Sequence, residues 1–305
     1  MDPASDAAMA KMRRRMHVTS VSYWRGLVPD CTIEDDPFRV LPPYAVSAAD
    51  AARFTRQIRH EGYFQTEPLL ETLEIERLRA CVERVTEAGH HAVYALLYDD
   101  FYRVLGRLGA VLAPVLGDGF QLVPDECGGF YVPADDHAAG SAPHRDSLRT
   151  EASVERDGTP TLVNVWIPLT DVAPPGSCMY VVPAHADPSY PKGGRIEVPQ
   201  DHDVTLGGAD LQTVRALPAR AGSVICWSAH LLHWGARSSA MATGPRMSFA
   251  FYFQSRHVPP YHAVTMDIPS PIPFDYRLYL LEKMRRGAEG EDPPFRHLQQ
   301  PKQGT

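Results

Sequence analysis

From Phe120 onward the chain is built of short apolar runs (FQLVP, GFYVP, TLVNVWIPL, CMYVVP, SVICW, RMSFAFYF) separated by Pro, Gly and Asp. Runs of about five to eight residues closed by turn formers are strands. Several such strands in succession bury their apolar faces only against a second layer, so residues 120–255 or so predict a β-sandwich or barrel. The chain's 28 prolines lie mostly between the runs, where they break no ladder. Upstream the period changes. In AARFTRQIRHEG, Ala51, Phe54 and Ile58 recur at helical spacing, with Ser47 or Asp50 as the cap and Gly62 as the stop. Further helices are expected over Leu73–Ala88 and Tyr98–Leu116, giving a helical layer over about 45–117.

Composition narrows the classes. With 305 residues, 44% hydrophobic and 22% charged, the chain fits one β-rich domain, taken as residues 21–287. Thirty Lys+Arg against thirty-seven Asp+Glu give a net charge of −7, which lacks the basic field of a nucleic-acid binder. No run approaches the roughly 18 apolar residues of a membrane helix. Residues 1–20 carry the basic cluster Lys11–Arg15 with no apolar segment behind it, so they read as a disordered leader and not as a secretory signal. Residues 288–305 read as a flexible tail. Five widely spaced cysteines (Cys31, Cys81, Cys127, Cys178, Cys226) without a CxxC pair fit reduced, buried thiols and a cytoplasmic protein.

Most of the 13 histidines have no company that suggests chemistry. His144-Arg145-Asp146 does. At i and i+2 of an extended segment, an imidazole and a carboxylate project to the same side. That is two thirds of a 2-His-1-carboxylate triad, which leaves three positions of an iron ion open. A second histidine comes from SVICWSAHLLHWGARSS, as His230 or His233, and Arg246 and Ser248 then share a face of RMSFAFYF. An arginine beside a hydroxyl is a clamp for a carboxylate. The conjunction is far more specific than any of its parts.

From about Phe130 to Phe253 the sequence resembles the phytanoyl-CoA dioxygenase family of Fe(II)/2-oxoglutarate oxygenases, including the stretch VWIPLTDVAPPGSCMYVVPAHAD. The resemblance implies a double-stranded β-helix, a cupin-like jelly-roll barrel with helices on one sheet. It implies Fe(II), 2-oxoglutarate as cosubstrate and O2, with His144 and Asp146 as the first two iron ligands. His233, in LLHWG, suits the family's distal histidine better than His230, although ARSSAMATG makes the interval to Arg246 longer than usual. Arg246 would hold the distal carboxylate of 2-oxoglutarate and Ser248 would add a hydrogen bond. Tyr131 and Asn164 stand where relatives contact the cosubstrate, or serve as a core aromatic and a ladder residue. Trp166 lines the pocket or packs. Arg145 points away from the metal, to the surface or a lid. Arg149 and Arg237 are candidates for an anionic substrate, or solvated charges. His185, in the place of the family's G-S-H ending, is structural.

The expected activity is hydroxylation of a small molecule with release of succinate and CO2. Asp146 argues against halogenation, which needs that position free. Desaturation, cyclisation and epimerisation share the same iron site, and no segment names a substrate or an oligomeric state. Two other classes stand beside this one. A non-redox cupin-like hydrolase or isomerase has no need of Arg246 and Ser248, and a barrel that had lost catalysis has no need of a complete His/Asp/His set.

Overall fold

In RMSFAFYFQ the odd and even positions go to different places, and that split organises the molecule. A computed structural model describes residues 18–34, 41–138, 140–146, 153–193, 211–261, 264–268 and 272–289, without the side chains of 211 and 286–289. Met247, Phe249, Phe251 and Phe253 enter the larger apolar core against the helices, while Ala250 enters a second core with Trp166, Ile225 and Trp227.

Among the described residues nine strands form two antiparallel sheets: β1 Tyr63–Gln65, β2 Gln121–Val132, β3 Leu162–Pro168, β4 Met179–Val182, β5 Arg215–Leu217, β6 Ile225–Ser228, β7 Leu232–Gly235, β8 Arg246–Gln254 and β9 Met266–Asp267. The six-stranded sheet runs β1-β6-β3-β8-β2-β9 and the three-stranded sheet β5-β4-β7. Met179, Val181 and Leu217 of the small sheet close the second core over the large one. The arrangement is thus helices, large sheet, small sheet. No ladder joins the two sheets among the described residues.

The helices are α1 Val21–Leu27, α2 Ala48–Glu61, α3 Thr72–Glu87, α4 Asp99–Gly106, α5 Gly109–Leu116 and α6 Phe274–Glu289. Ser47 caps α2 by accepting from Asp50 N, and Gly62 ends it at φ 80°, where a side chain would be strained. The single helix expected over 98–116 is two. Gly106 and Gly109 flank the break, and the Arg107 side chain there is held by Pro42 O, Glu71 and Glu74. Before them Ala92–Leu97 forms a wholly buried 3₁₀ turn.

Two helices lie outside the sequence expectation. Short α1 buries Trp24 completely and is capped by Ser20, which lies inside the expected leader; residues 1–17 lie outside the described residues. Helix α6 runs to Glu289, two residues into the expected tail, whose remainder is also outside. It is bound to the body by Arg277, whose Nη1 lies 2.7 Å from Asp99 Oδ1 with both side chains fully buried. The five cysteines are free and buried. Among the described residues no helix is long and apolar enough to cross a membrane.

FQLVP and GFYVP, expected as two strands, are one. In β2 the register against β8 passes from Val123↔Tyr252 directly to Cys127↔Phe251, so Pro124, Asp125 and Glu126 bulge out of the ladder. Pro124 cannot donate a ladder bond, which fits its place there.

Candidate metal centre

Between the sheets lies a cavity of about 500 Å³, and His144, Asp146 and His233 are on its wall. Their ligand atoms all lie within 4.8 Å of one another. Nε2 of His144 is 3.5 Å from Asp146 Oδ1, and Nε2 of His233 is 3.6 Å from the same oxygen. The segment holding His144 and Asp146 is not the full strand that the sequence suggested. His144 forms a single bridge to β7, exchanging both backbone bonds with His233 at 2.9 and 3.0 Å. Close approach here also needs glycine: a Cβ on Gly140 would sit 2.6 Å from the backbone of Gly235.

Each imidazole is fixed from behind. His144 Nδ1 is 2.8 Å from Ala142 O and His233 Nδ1 is 2.9 Å from Leu231 O. A carbonyl only accepts, so each Nδ1 carries the proton and each Nε2 turns its lone pair to the shared point. His230 takes no part. It is buried, and its Nδ1 faces Tyr190 O at 3.0 Å.

Asp146 is held by a row across three adjacent strands. Trp227, Asn164 and Tyr252 stand opposite one another on β6, β3 and β8. Trp227 Nε1 donates to Asp146 Oδ2 at 2.8 Å, Asn164 Nδ2 donates to the same oxygen at 3.3 Å, and the Tyr252 hydroxyl bonds the carboxylate too. Oδ2 is thereby occupied and Oδ1 is left to face the imidazoles. Burial alone would raise the Asp146 pKa, but the charges and hydrogen bonds of His233 and His144 hold it well below the usual carboxylate range. Burial keeps the His233 imidazole below its ordinary value; for His144 burial pulls the same way, and the bond and charge of Asp146 outweigh it. Trp227 and Tyr252 were not read from the sequence. Tyr252 is legible only as the fourth even position of the face that begins with Arg246, and Trp227 only through its register.

The first residue of β8, Arg246, also borders the cavity and is 5% exposed. Its Nη1 donates to Ser177 O at 2.8 Å, its Nε has no partner, and no carboxylate pairs with it among the described residues. Burial pulls its pKa down to about 10. A buried cation without an anion is costly unless a ligand supplies one.

The sequence profile of the phytanoyl-CoA dioxygenase (PhyH) family matches residues 40–244. The chain belongs to that family. Among curated proteins no match was found. Solved structures of similar fold include the non-heme monooxygenase ThoJ in its nickel complex (18% identity, 78% of this chain and 98% of that one, TM-score 0.55). HygX from Streptomyces hygroscopicus, with nickel and 2-oxoglutarate bound, is 16% identical over 72% of this chain and 90% of its own, at TM-score 0.52. The epimerase SnoN, in complex with Fe3+, alpha ketoglutarate and nogalamycin RO, is 18% identical over 75% and 98%, at 0.51. At these identities the likeness is one of fold.

The other residues singled out in this PhyH chain divide. Tyr131 borders the cavity and is 38% exposed, and Trp166 lines it while almost fully buried. Asn164 lines it as well; its Nδ2 donates to Asp146, while its buried Oδ1 has no hydrogen-bond partner. Ser248 shares the Arg246 face, is fully buried and does not border the cavity. Arg145 is neither at the surface nor in a lid: it is buried, with Nε donating to His230 O at 3.0 Å and Nη2 bonded to Asp187. Arg237 is exposed and away from the cavity, and Arg149 lies outside the described residues. His185 is exposed, paired with Glu61 at 3.3 Å and stacked on His60.

Proposed function

We propose that this chain is an Fe(II)- and 2-oxoglutarate-dependent dioxygenase that hydroxylates a small molecule, its two sheets being the halves of a double-stranded β-helix. The observation that carries the reading is one cavity wall holding two Nε2 atoms around one carboxylate oxygen, with a buried arginine that lacks an anion. Two imidazoles and a carboxylate on one side are the donor set of a non-haem iron site.

His144, Asp146 and His233 would hold the metal. The carbonyls of Ala142 and Leu231 keep the two Nε2 atoms deprotonated and aimed, and Trp227, Asn164 and Tyr252 keep Asp146 from rotating. Arg246 would receive the distal carboxylate of 2-oxoglutarate, which satisfies its orphan Nε. Ser248, off the cavity, leaves this anchoring to Arg246. With iron, 2-oxoglutarate and O2 bound, the site supplies oxidative decarboxylation to succinate and CO2 coupled to oxidation of a substrate C–H bond. The protein's own part is to orient, to neutralise and to exclude water: Trp166 and Ala250 close the apolar wall beside the centre.

The test needs no substrate. Anaerobic protein with Fe(II) and 2-oxoglutarate is expected to show the weak visible charge-transfer band of the chelated cosubstrate, lost in Asp146→Ala. Fe(II) binding without the band turns the assignment to a non-redox metalloenzyme, and binding of neither turns it to a barrel without catalysis. SnoN is an epimerase, so product analysis is what separates hydroxylation from its sister outcomes.

A further inference from the structure

Between His144 and Asp146 stands a residue that faces the other way. Both neighbours border the cavity, and Arg145 turns from it into the protein, as alternation along extended backbone requires. Its side chain is almost wholly buried, as is that of Asp187, whose Oδ2 it bonds through Nη2. Its Nε donates to His230 O at 3.0 Å. Asp187 follows the 3₁₀ turn Ala184–Ala186 just past β4, and its Oδ1 accepts from Ser189 N at 2.9 Å. His230 lies in the turn between β6 and β7. One guanidinium thus joins the His144–Asp146 segment, the chain leaving β4 and the chain entering β7.

What it reaches bears on the metal centre. The carbonyl that fixes the His233 imidazole belongs to Leu231, the residue after His230. That turn is itself well held: Leu231 N donates to Ser228 O at 2.9 Å, and His230 Nδ1 is 3.0 Å from Tyr190 O. The segment on the other side of Arg145 is held less. Its pairing with β7 is the single bridge at His144, and among the described residues no backbone–backbone bond follows at Arg145 or Asp146. The Arg145 side chain is what ties the main chain beside Asp146 to the turn that sets His233.

Stability alone is a poor reason to bury this pair, because an apolar pair of similar volume often does as well or better. A planar guanidinium with donors in a fixed fork supplies geometry instead. We propose that Arg145 is a positioning residue of the metal centre: bonded to Asp187 and to His230 O, it holds the His144–Asp146 segment in register with the turn that orients His233, so that two imidazoles and one carboxylate meet at a point. This rests on the reading above, in which those three residues hold the metal.

The experiment follows Co(II) binding to the full chain, by calorimetric titration and by the visible ligand-field bands of the bound ion, beside urea unfolding. Arg145→Met combined with Asp187→Asn removes both charges at once, and the asparagine Oδ1 still accepts from Ser189 N. No buried charge is stranded, so the urea midpoint should stay near that of wild type. Co(II) affinity should fall about tenfold, as for other groups that support a metal ligand, with the bands displaced. Arg145→Lys is the second variant: it keeps a charge facing Asp187 but lacks the fork that reaches both partners. The proposal stands if either folded variant loses affinity and shows displaced bands. It is overturned if every variant that folds keeps wild-type affinity or wild-type bands, or if neither folds, which makes Arg145 a structural residue alone. Wild type separates the two readings. If it binds Co(II) and the folded variants match it, the centre stands and only the role of Arg145 falls. If wild type binds no Co(II), the centre itself falls and the positioning role with it.

Discussion

Two arginines of this chain are buried to nearly the same degree and face opposite circumstances. Arg277 on α6 has Asp99 at 2.7 Å, and it also donates to Leu97 O at 2.7 Å. Arg246 on β8 has a backbone carbonyl and two aromatic rings, Trp166 and Phe130, with its carbon Cζ 5.9 and 6.0 Å from their centroids, but no anion among the described residues. The first is compensated by the fold itself, across 178 positions of sequence (277 − 99). The second is compensated only when something enters the cavity. A buried charge with its counter-ion built in holds the structure together; one without it marks where a ligand of opposite charge belongs.

The largest effect tests the cavity side. Asp146→Ala should lower Ni(II) or Fe(II) affinity by about 100-fold or more, since even losing a ligand's support costs 10- to 100-fold. Calorimetric titration measures it, and Asp146→Asn, which keeps the shape, serves as the folded control. Wild-type metal affinity in either variant breaks the assignment of the centre.

Next come the arginines themselves. Arg277→Ala strips the fully buried Asp99 of its counter-ion and leaves it the Glu34 N–H at Oδ2, and should cost about 3–5 kcal/mol of stability. Urea unfolding reads this directly, and 2-oxoglutarate affinity should be unchanged in the folded fraction. Arg246→Met should behave in the opposite way. Its removal strands no carboxylate, so stability should hold or rise, while 2-oxoglutarate affinity falls about 10- to 100-fold for a lost charge-assisted bond. If R246M unfolds as R277A does, the distinction between the two charges fails.

How far the sequence carries this comparison depends on where each partner lies. His144 and Asp146 were legible because two residues apart on extended backbone means one side, whatever the fold. Arg246 was legible because it opens a strand of alternating aromatics. The choice of His233 over His230 rested on a resemblance, through LLHWG and the shorter of the two intervals to Arg246. It is His233, and not His230, that shares the bridge with His144. The pairing of Arg277 with Asp99, and of Arg145 with Asp187, could not be read: each joins elements far apart in sequence, and an arginine in a periodic helix looks like any surface charge. Helix α6 was missed although Leu278 and Leu281 mark its buried face. The bulge was missed for a different reason. FQLVP and GFYVP are each complete strand signals, and nothing local says that DECG joins them in one strand.

The smallest effect probes what register alone revealed. Trp227→Phe keeps most of a ring that is 2% exposed and removes only the N–H that reaches Asp146 Oδ2 at 2.8 Å. Asn164 and Tyr252 still hold that carboxylate, so the loss is partial: metal affinity should fall about tenfold, the lower end for a supporting bond. Stability should fall by about 1–2 kcal/mol, from lost volume and one hydrogen bond. The two readouts separate packing from positioning. A variant that loses stability but keeps metal affinity makes Trp227 a core residue that happens to touch Asp146. A variant that loses metal affinity beyond its small loss of stability makes the cross-strand row part of the metal centre. Adding Asn164→Leu then tells whether the row acts as a unit, because donors sharing one oxygen should give a double-variant loss that departs from the product of the single ones.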